Sequence, residues 1–147
     1  MNSQHTASHQ SLGYIYQIRY ALYLILKEQD SDCLGITIEC IDDVAFVNET
    51  GTPIERLQLK HSLKKQASLT DNSVELWKTL LIWINEIGPE KLSSSEMVLT
   101  LVTTARALEG SIAFYLRSDI NDRNPEQALI ALEKVAETSN NEKLKNA

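Results

Sequence analysis

The sequence predicts an α/β fold: a mixed sheet flanked by helices, in the order helix, three strands, helix, strand, with extra C-terminal helices. Three observations predict it. Residues 12–28 form a long apolar segment with no period-two alternation, three short strand-like runs between 36 and 61 are separated by turn residues, and a nearly continuous apolar run at 97–102 follows a helical pattern. At 147 residues the chain has the length of one domain with one sizeable core.

The elements follow in order. Residues 12–28 are too long for a strand and are apolar on most sides, which predicts a helix with most of its circumference covered. Gly35 opens the alternating run Ile36-Thr37-Ile38-Glu39-Cys40, a strand. Continued without a break, that strand would put Asp42 on the apolar face of Ile36, Ile38, Val44 and Phe46. A lone carboxylate there is costly, so a turn is expected near Ile41-Asp42. A second strand at 43–48 and a third at 54–61 flank the turn Glu49-Thr50-Gly51-Thr52-Pro53. Asp71, Asn72 and Ser73 are N-cap candidates for a helix over 74–87, stopped by Gly88-Pro89. The 97–102 run reads as a buried strand. A short helix is expected over 110–117, and another over 125–138, where Pro125 suits the first helical position. Residues 1–11 are expected to be disordered, 12–139 to form the domain, and 140–147 to fray. The end of the sequence carries no stop signal, which is compatible with the front part of a longer protein.

Composition narrows the function classes. The 14 Lys and Arg against 20 Asp and Glu give a net charge of −6, which disfavours coating nucleic acid or anionic membrane through bulk charge. A local patch is a separate matter. Between Arg56 and Thr70 lie Arg56, Lys60, Lys64, Lys65 and His61 without a single acid, so this window is either a phosphate-gripping surface or a solvated basic loop. Cys33 and Cys40 form no CxxC pair, and the start lacks an export signal, so a cytoplasmic location is expected. The 12–26 stretch, broken by Gln17 and Arg19, is shorter than the ~20 residues of a membrane span. There is no GxxxxGK[ST], GxGxxG, GxSxG or HExxH motif. His5 and His9 have i, i+4 spacing but sit in a polar terminus. Trp77 and Trp83 lie on core-spaced stripes, and Tyr14, Tyr16, Tyr20 and Tyr23 suit a helix packed on the sheet or in a dimer interface.

What remains is a set of polar residues in strands that should be apolar: Glu39, Asp42, Asp43, Gln58 and Lys60. Gln58 and Lys60 share one strand face, with Leu57 and Leu59 on the other. If Asn48 pairs near Ile54, Asp43 falls opposite Leu59 or Lys60, with Glu39 across the preceding turn. One reading is a surface salt bridge at a sheet edge. The other is metal-assisted phosphodiester hydrolysis, in which Asp43 and the Leu59 backbone carbonyl hold Mg²⁺ and Lys60 stabilises developing negative charge.

These residues carry a resemblance. The αβββαβ order, with an acid opening the second strand and Gln58-Leu59-Lys60 on the third, resembles the PD-(D/E)xK restriction-endonuclease-like superfamily, in the Mrr-like branch where QxK replaces (D/E)xK. More narrowly, Gly13-Tyr14-Ile15-Tyr16-Gln17 with Tyr20-Ala21, Ile38-Glu39 with Asp42-Asp43-Val44, and Leu57-Gln58-Leu59-Lys60-His61 resemble the N-terminal nuclease domain of CD-NTase-associated double-stranded DNA endonucleases of bacterial anti-phage defence. Ser68-Leu69-Thr70 and Leu76-Trp77-Lys78-Thr79-Leu80 fit the same group, so the likeness covers about residues 13–104. The resemblance implies a Mg²⁺-dependent endodeoxyribonuclease, with Mn²⁺ substituting. Its catalytic residues would be Asp43, Gln58, Lys60 and Glu39. Metal ligands would be Asp43, Glu39 and the Leu59 carbonyl, supported by Gln17 or Asp42, and Arg56, His61, Lys64 and Lys65 would contact DNA. A homodimer or larger assembly is expected, as is a regulatory or sensor domain or partner, which 147 residues do not include. The alternative is a catalytically inactive nuclease fold that binds DNA or mediates assembly.

Overall fold

The computed structural model describes residues 3–27, 35–62, 67–88 and 97–138, and side chains from residue 11 onward. Two compact units are present: one within residues 1–61 and 90–103, the other within 62–89 and 104–147. The span 12–139, read above as one domain, therefore contributes to both. The tail 140–147 lies outside the described residues.

The first unit holds helix α1 (Ser3–Lys27) and strands β1 (Gly35–Ile38), β2 (Val44–Val47), β3 (Pro53–Lys60) and β5 (Val98–Thr103). They form a mixed sheet in the order β1-β2-β3-β5, antiparallel in its first two pairings and parallel between β3 and β5. A parallel pairing requires a long connection, and the chain makes it through the residues of the second unit. The mixed α/β architecture matches the expectation.

Helix α1 begins nine residues before the predicted start at Leu12, so residues 3–11, expected to be disordered, are its first turns. Neither Pro nor Gly stands between Ser3 and Leu12 to halt propagation from the anchored part. Only one stripe of α1 is covered. Ala21 and Leu24 are buried, and Tyr16 and Tyr20 pack with them against Val44, Phe46, Leu57 and Leu59. Ile15, Ile18, Leu22, Ile25 and Leu26 are exposed, which corrects the expectation of a helix covered nearly all round. One sheet can bury only one stripe of a helix.

The β2–β3 hairpin is closed by residues 48–52. The Asn48 side-chain oxygen accepts from the Thr50 and Thr52 backbone N–H groups, and Gly51 has φ 77°, a left-handed conformation that favours glycine. Asn48 is thereby drawn into the turn and leaves the ladder. Val47 pairs with Pro53, the register shifts by one residue, and Phe46 then pairs with Glu55 and Val44 with Leu57. Continued, the ladder puts Asp43 level with Gln58, one residue short of the predicted Leu59 or Lys60.

The second unit holds a parallel pair, β4 (Ser68–Leu69) with β6 (Arg106–Ala107), and helices α2 (Val74–Ile87), α3 (Ile112–Tyr115) and α4 (Pro125–Thr138). The bounds of α2 and α4 are those read from sequence; α3 is shorter than the predicted 110–117. Trp77 and Trp83 are buried, and the Trp77 ring N–H donates to the Asp71 carbonyl at 2.7 Å. Asp71, an expected cap for α2, instead accepts the Ile112 N–H at 2.8 Å at the start of α3. Among the described residues no helix is long and apolar enough to cross a membrane.

Candidate functional site

Between β1 and β2 the chain makes a tight turn over residues 39–43. Glu39 has φ 57°, an uncommon conformation for a residue other than glycine, and its N–H donates to the Asp43 carbonyl at 3.2 Å. The turn delivers two consecutive aspartates into different surroundings.

The Asp42 side chain has no exposed surface. Its Oδ2 accepts from Arg56 Nε at 3.1 Å, and its Oδ1 accepts from the Asp43 backbone N–H at 3.0 Å and from the Gln58 amide. Arg56 also donates through Nη2 to the Ile41 carbonyl at 2.8 Å. The carboxylate the sequence reading kept away from the interior is thus buried, with a guanidinium and hydrogen-bond donors compensating its charge. Arg56 was expected to face DNA. It is itself only 5% exposed and committed to Asp42 and Ile41, so that expectation is corrected.

Asp43 is half-buried. Its Oδ2 accepts the Leu59 N–H at 2.7 Å, so the predicted neighbourhood of Asp43 with the Leu59–Lys60 segment is made by the side chain and not by ladder pairing. Oδ1 takes no hydrogen bond from a described residue. Burial holds the Asp43 carboxyl above the usual carboxylate range; the Leu59 N–H and the Lys60 charge oppose this, while Asp42 and Glu39 add to it. Both Lys60 and Glu39 therefore lie close enough for their charges to act on Asp43.

Gln58 is 6% exposed and links the two halves of the site. Its amide nitrogen donates to Asp42, and its oxygen accepts from Lys60 Nζ at 2.9 Å. Strand alternation sets this up. Arg56, Gln58 and Lys60 fall on one face of β3, while Leu57 and Leu59 fall on the face that α1 covers.

The chain matches no protein-family profile, no curated protein and no solved structure. The functional reading therefore stands on the site's own chemistry.

The remaining predicted residues divide. Glu39 is exposed beside Asp43. His61 is exposed, with its ring 5.0 Å from that of Tyr16. Gln17, the next residue of α1, is 9% exposed, and its buried Oε1 has no hydrogen-bond partner among the described residues. Lys64 and Lys65 lie outside the described residues. Sequence reasoning missed the Arg56–Asp42 pair, which bridges fourteen positions of sequence. One signal for it was available, because Arg56 and Gln58 share a strand face and both can donate to a carboxylate.

The oxygen donors near Asp43 suit a hard cation: the open Oδ1 and the Glu39 carboxylate. Asp42 is withdrawn from that set by Arg56. Among the described residues no three His, Cys, Asp or Glu side chains are grouped as a metal cage, so a cation held here would need oxygens from elsewhere, such as substrate phosphate.

Proposed function

We propose that this chain is a metal-dependent endonuclease domain that hydrolyses phosphodiester bonds of double-stranded DNA, as the effector of a bacterial anti-phage defence system. The observation that carries the reading is the contrast between neighbouring carboxylates. Asp42 is buried and neutralised, whereas Asp43 has an oxygen that no described residue hydrogen-bonds and feels the Lys60 ammonium. A structural ion pair needs no open oxygen; a cation ligand does.

In this reading Asp43 is the main ligand of Mg²⁺ or Mn²⁺, with Glu39 secondary and the Leu59 carbonyl a further oxygen. Held by these oxygens, the ion would supply polarisation of the scissile phosphate and a lowered pKa for an attacking water. Burial and the two neighbouring acids make an uncompensated charge on Asp43 costly, so a cation is favoured there. Lys60, held by Gln58, presents its positive charge to the phosphate as negative charge develops. Gln17 Oε1, on the helix face that meets the sheet, is buried with no hydrogen-bond partner among the described residues. Its neighbour Tyr16 touches His61, one residue beyond Lys60. His61, Lys64 and Lys65 grip the DNA backbone. The superfamily is the restriction-endonuclease-like one, in its QxK branch. The reading extends to a cytoplasmic protein acting in a homodimer or larger assembly, under a regulatory domain or partner.

Supercoiled plasmid is the test substrate. Wild type should nick and linearise it with Mg²⁺ or Mn²⁺ and leave it intact with EDTA, while Lys60→Ala and Asp43→Asn should each lose about 10²-fold or more in rate. A wild-type protein that binds plasmid but cuts it with neither metal would replace this reading by the DNA-binding or assembly module.

A further inference from the structure

We infer that Asp42 is a positioning residue for Lys60, acting through Gln58, and that this is why an amide and not a carboxylate occupies position 58. The inference deepens the nuclease reading and rests on it wherever a cleavage rate is measured.

Three linked contacts carry it. Arg56 anchors Asp42 from one side at 3.1 Å, Asp42 accepts the Gln58 amide N–H, and the Gln58 oxygen accepts Lys60 Nζ at 2.9 Å. Asp42, with no exposed side-chain surface, cannot turn to water for another donor. It therefore fixes which end of the Gln58 amide faces it, and the carbonyl oxygen must face the other way. Lys60 is otherwise a flexible four-carbon stem, costly in rotamer entropy to hold still. Gln58 supplies the fixed acceptor.

Only a group with a donor at one end and an acceptor at the other completes this link. A glutamate at 58 would accept from Lys60 but would set two carboxylates against each other. One of the pair would then have to hold a proton to donate. A methionine of similar length would leave Arg56 and Asp42 paired but cut the connection to Lys60.

The test combines NMR of the Lys60 side-chain ammonium, assigned by its loss in Lys60→Arg, with plasmid cleavage. Wild type should show a protected Lys60 ammonium signal. Gln58→Met should lose it and cut about 10²-fold more slowly, with KM for DNA little changed. Gln58→Glu should be comparably slow, because two carboxylates then face each other. The double variant Asp42→Asn with Gln58→Glu returns a donor facing an acceptor. It should cut about tenfold or more faster than Asp42→Asn alone.

The ammonium signal decides the link even if no cleavage is found, so failure of the nuclease reading and failure of this inference are separable. If Asp42→Asn does not fold, the ammonium signal of Gln58→Met and the rate of Gln58→Glu remain decisive. An unprotected Lys60 ammonium in wild type, an unchanged signal in Gln58→Met, or a Gln58→Glu variant as fast as wild type at neutral pH would overturn it.

Discussion

Replacing Asp42 and Asp43 by asparagine, one at a time and without metal, should shift stability in different directions although the residues are adjacent and the substitution is the same. Asp42→Asn removes the charge that compensates Arg56, whose side chain is 6% exposed, and points an N–H₂ at groups that are themselves donors. Breaking a buried pair in this way costs about 3–5 kcal/mol. For a chain of this length each kcal/mol lowers Tm by about 2–4 °C, so a fall of roughly 10 °C is expected. Asp43→Asn keeps an oxygen for the Leu59 N–H and removes a charge that burial disfavours. The sign follows from linkage. A carboxyl whose folded pKa is raised contributes stability below its unfolded pKa and loses that contribution as pH rises through the folded value. At neutral pH, therefore, Asp43→Asn should be as stable as wild type or more so, and its advantage should vanish as pH falls through the carboxylate range. The assay is thermal and urea unfolding in EDTA over about pH 4 to 7. Equal losses in the two variants, or an Asp42→Asn protein with unchanged Tm, would refute the assignment of different environments.

With a short DNA duplex present, excess Mg²⁺ or Mn²⁺ should raise the Tm of wild type beyond its value with the duplex in EDTA, and that additional rise should be missing in Asp43→Asn, as differential scanning fluorimetry would read. Across a full titration of either metal, Asp43→Asn should cut more slowly than wild type at every concentration. Lys64→Ala with Lys65→Ala should flatten the salt dependence of DNA binding by roughly one unit of slope for each phosphate no longer neutralised, without changing the rate at saturating DNA. Leu57, 2% exposed on the face of β3 that α1 covers, should cost about 2–5 kcal/mol when cut to alanine, measured by urea unfolding.

Elements whose signal is local were legible in the sequence. The α2 and α4 bounds followed from Gly88 and Pro125 and from apolar spacing, and the β-branched run at 36–38 and the apolar run at 97–102 declared their strands. The start of α1 was not legible, because polar residues without Pro or Gly neither require nor forbid a helix and the anchored turns beyond them decide. The two-residue strands β4 and β6 were also unread, since each exists only through its pairing with a distant segment.

By itself the sequence determined the candidate residues: the strand faces, and hence the grouping of Gln58 with Lys60 and of Leu57 with Leu59, follow from a period of two that any β3 must obey. It also determined that Asp43 would come near the Leu59–Lys60 segment, because a short turn leaves few ways to pair the two arms. Tertiary structure decided which aspartate does what. The one-residue slip at Phe46–Val47 and the left-handed Glu39 turned Asp42 inward to Arg56 and left Asp43 with an open oxygen. That choice depends on which side chain finds a buried cation across fourteen positions of sequence, and no local periodicity encodes such an encounter.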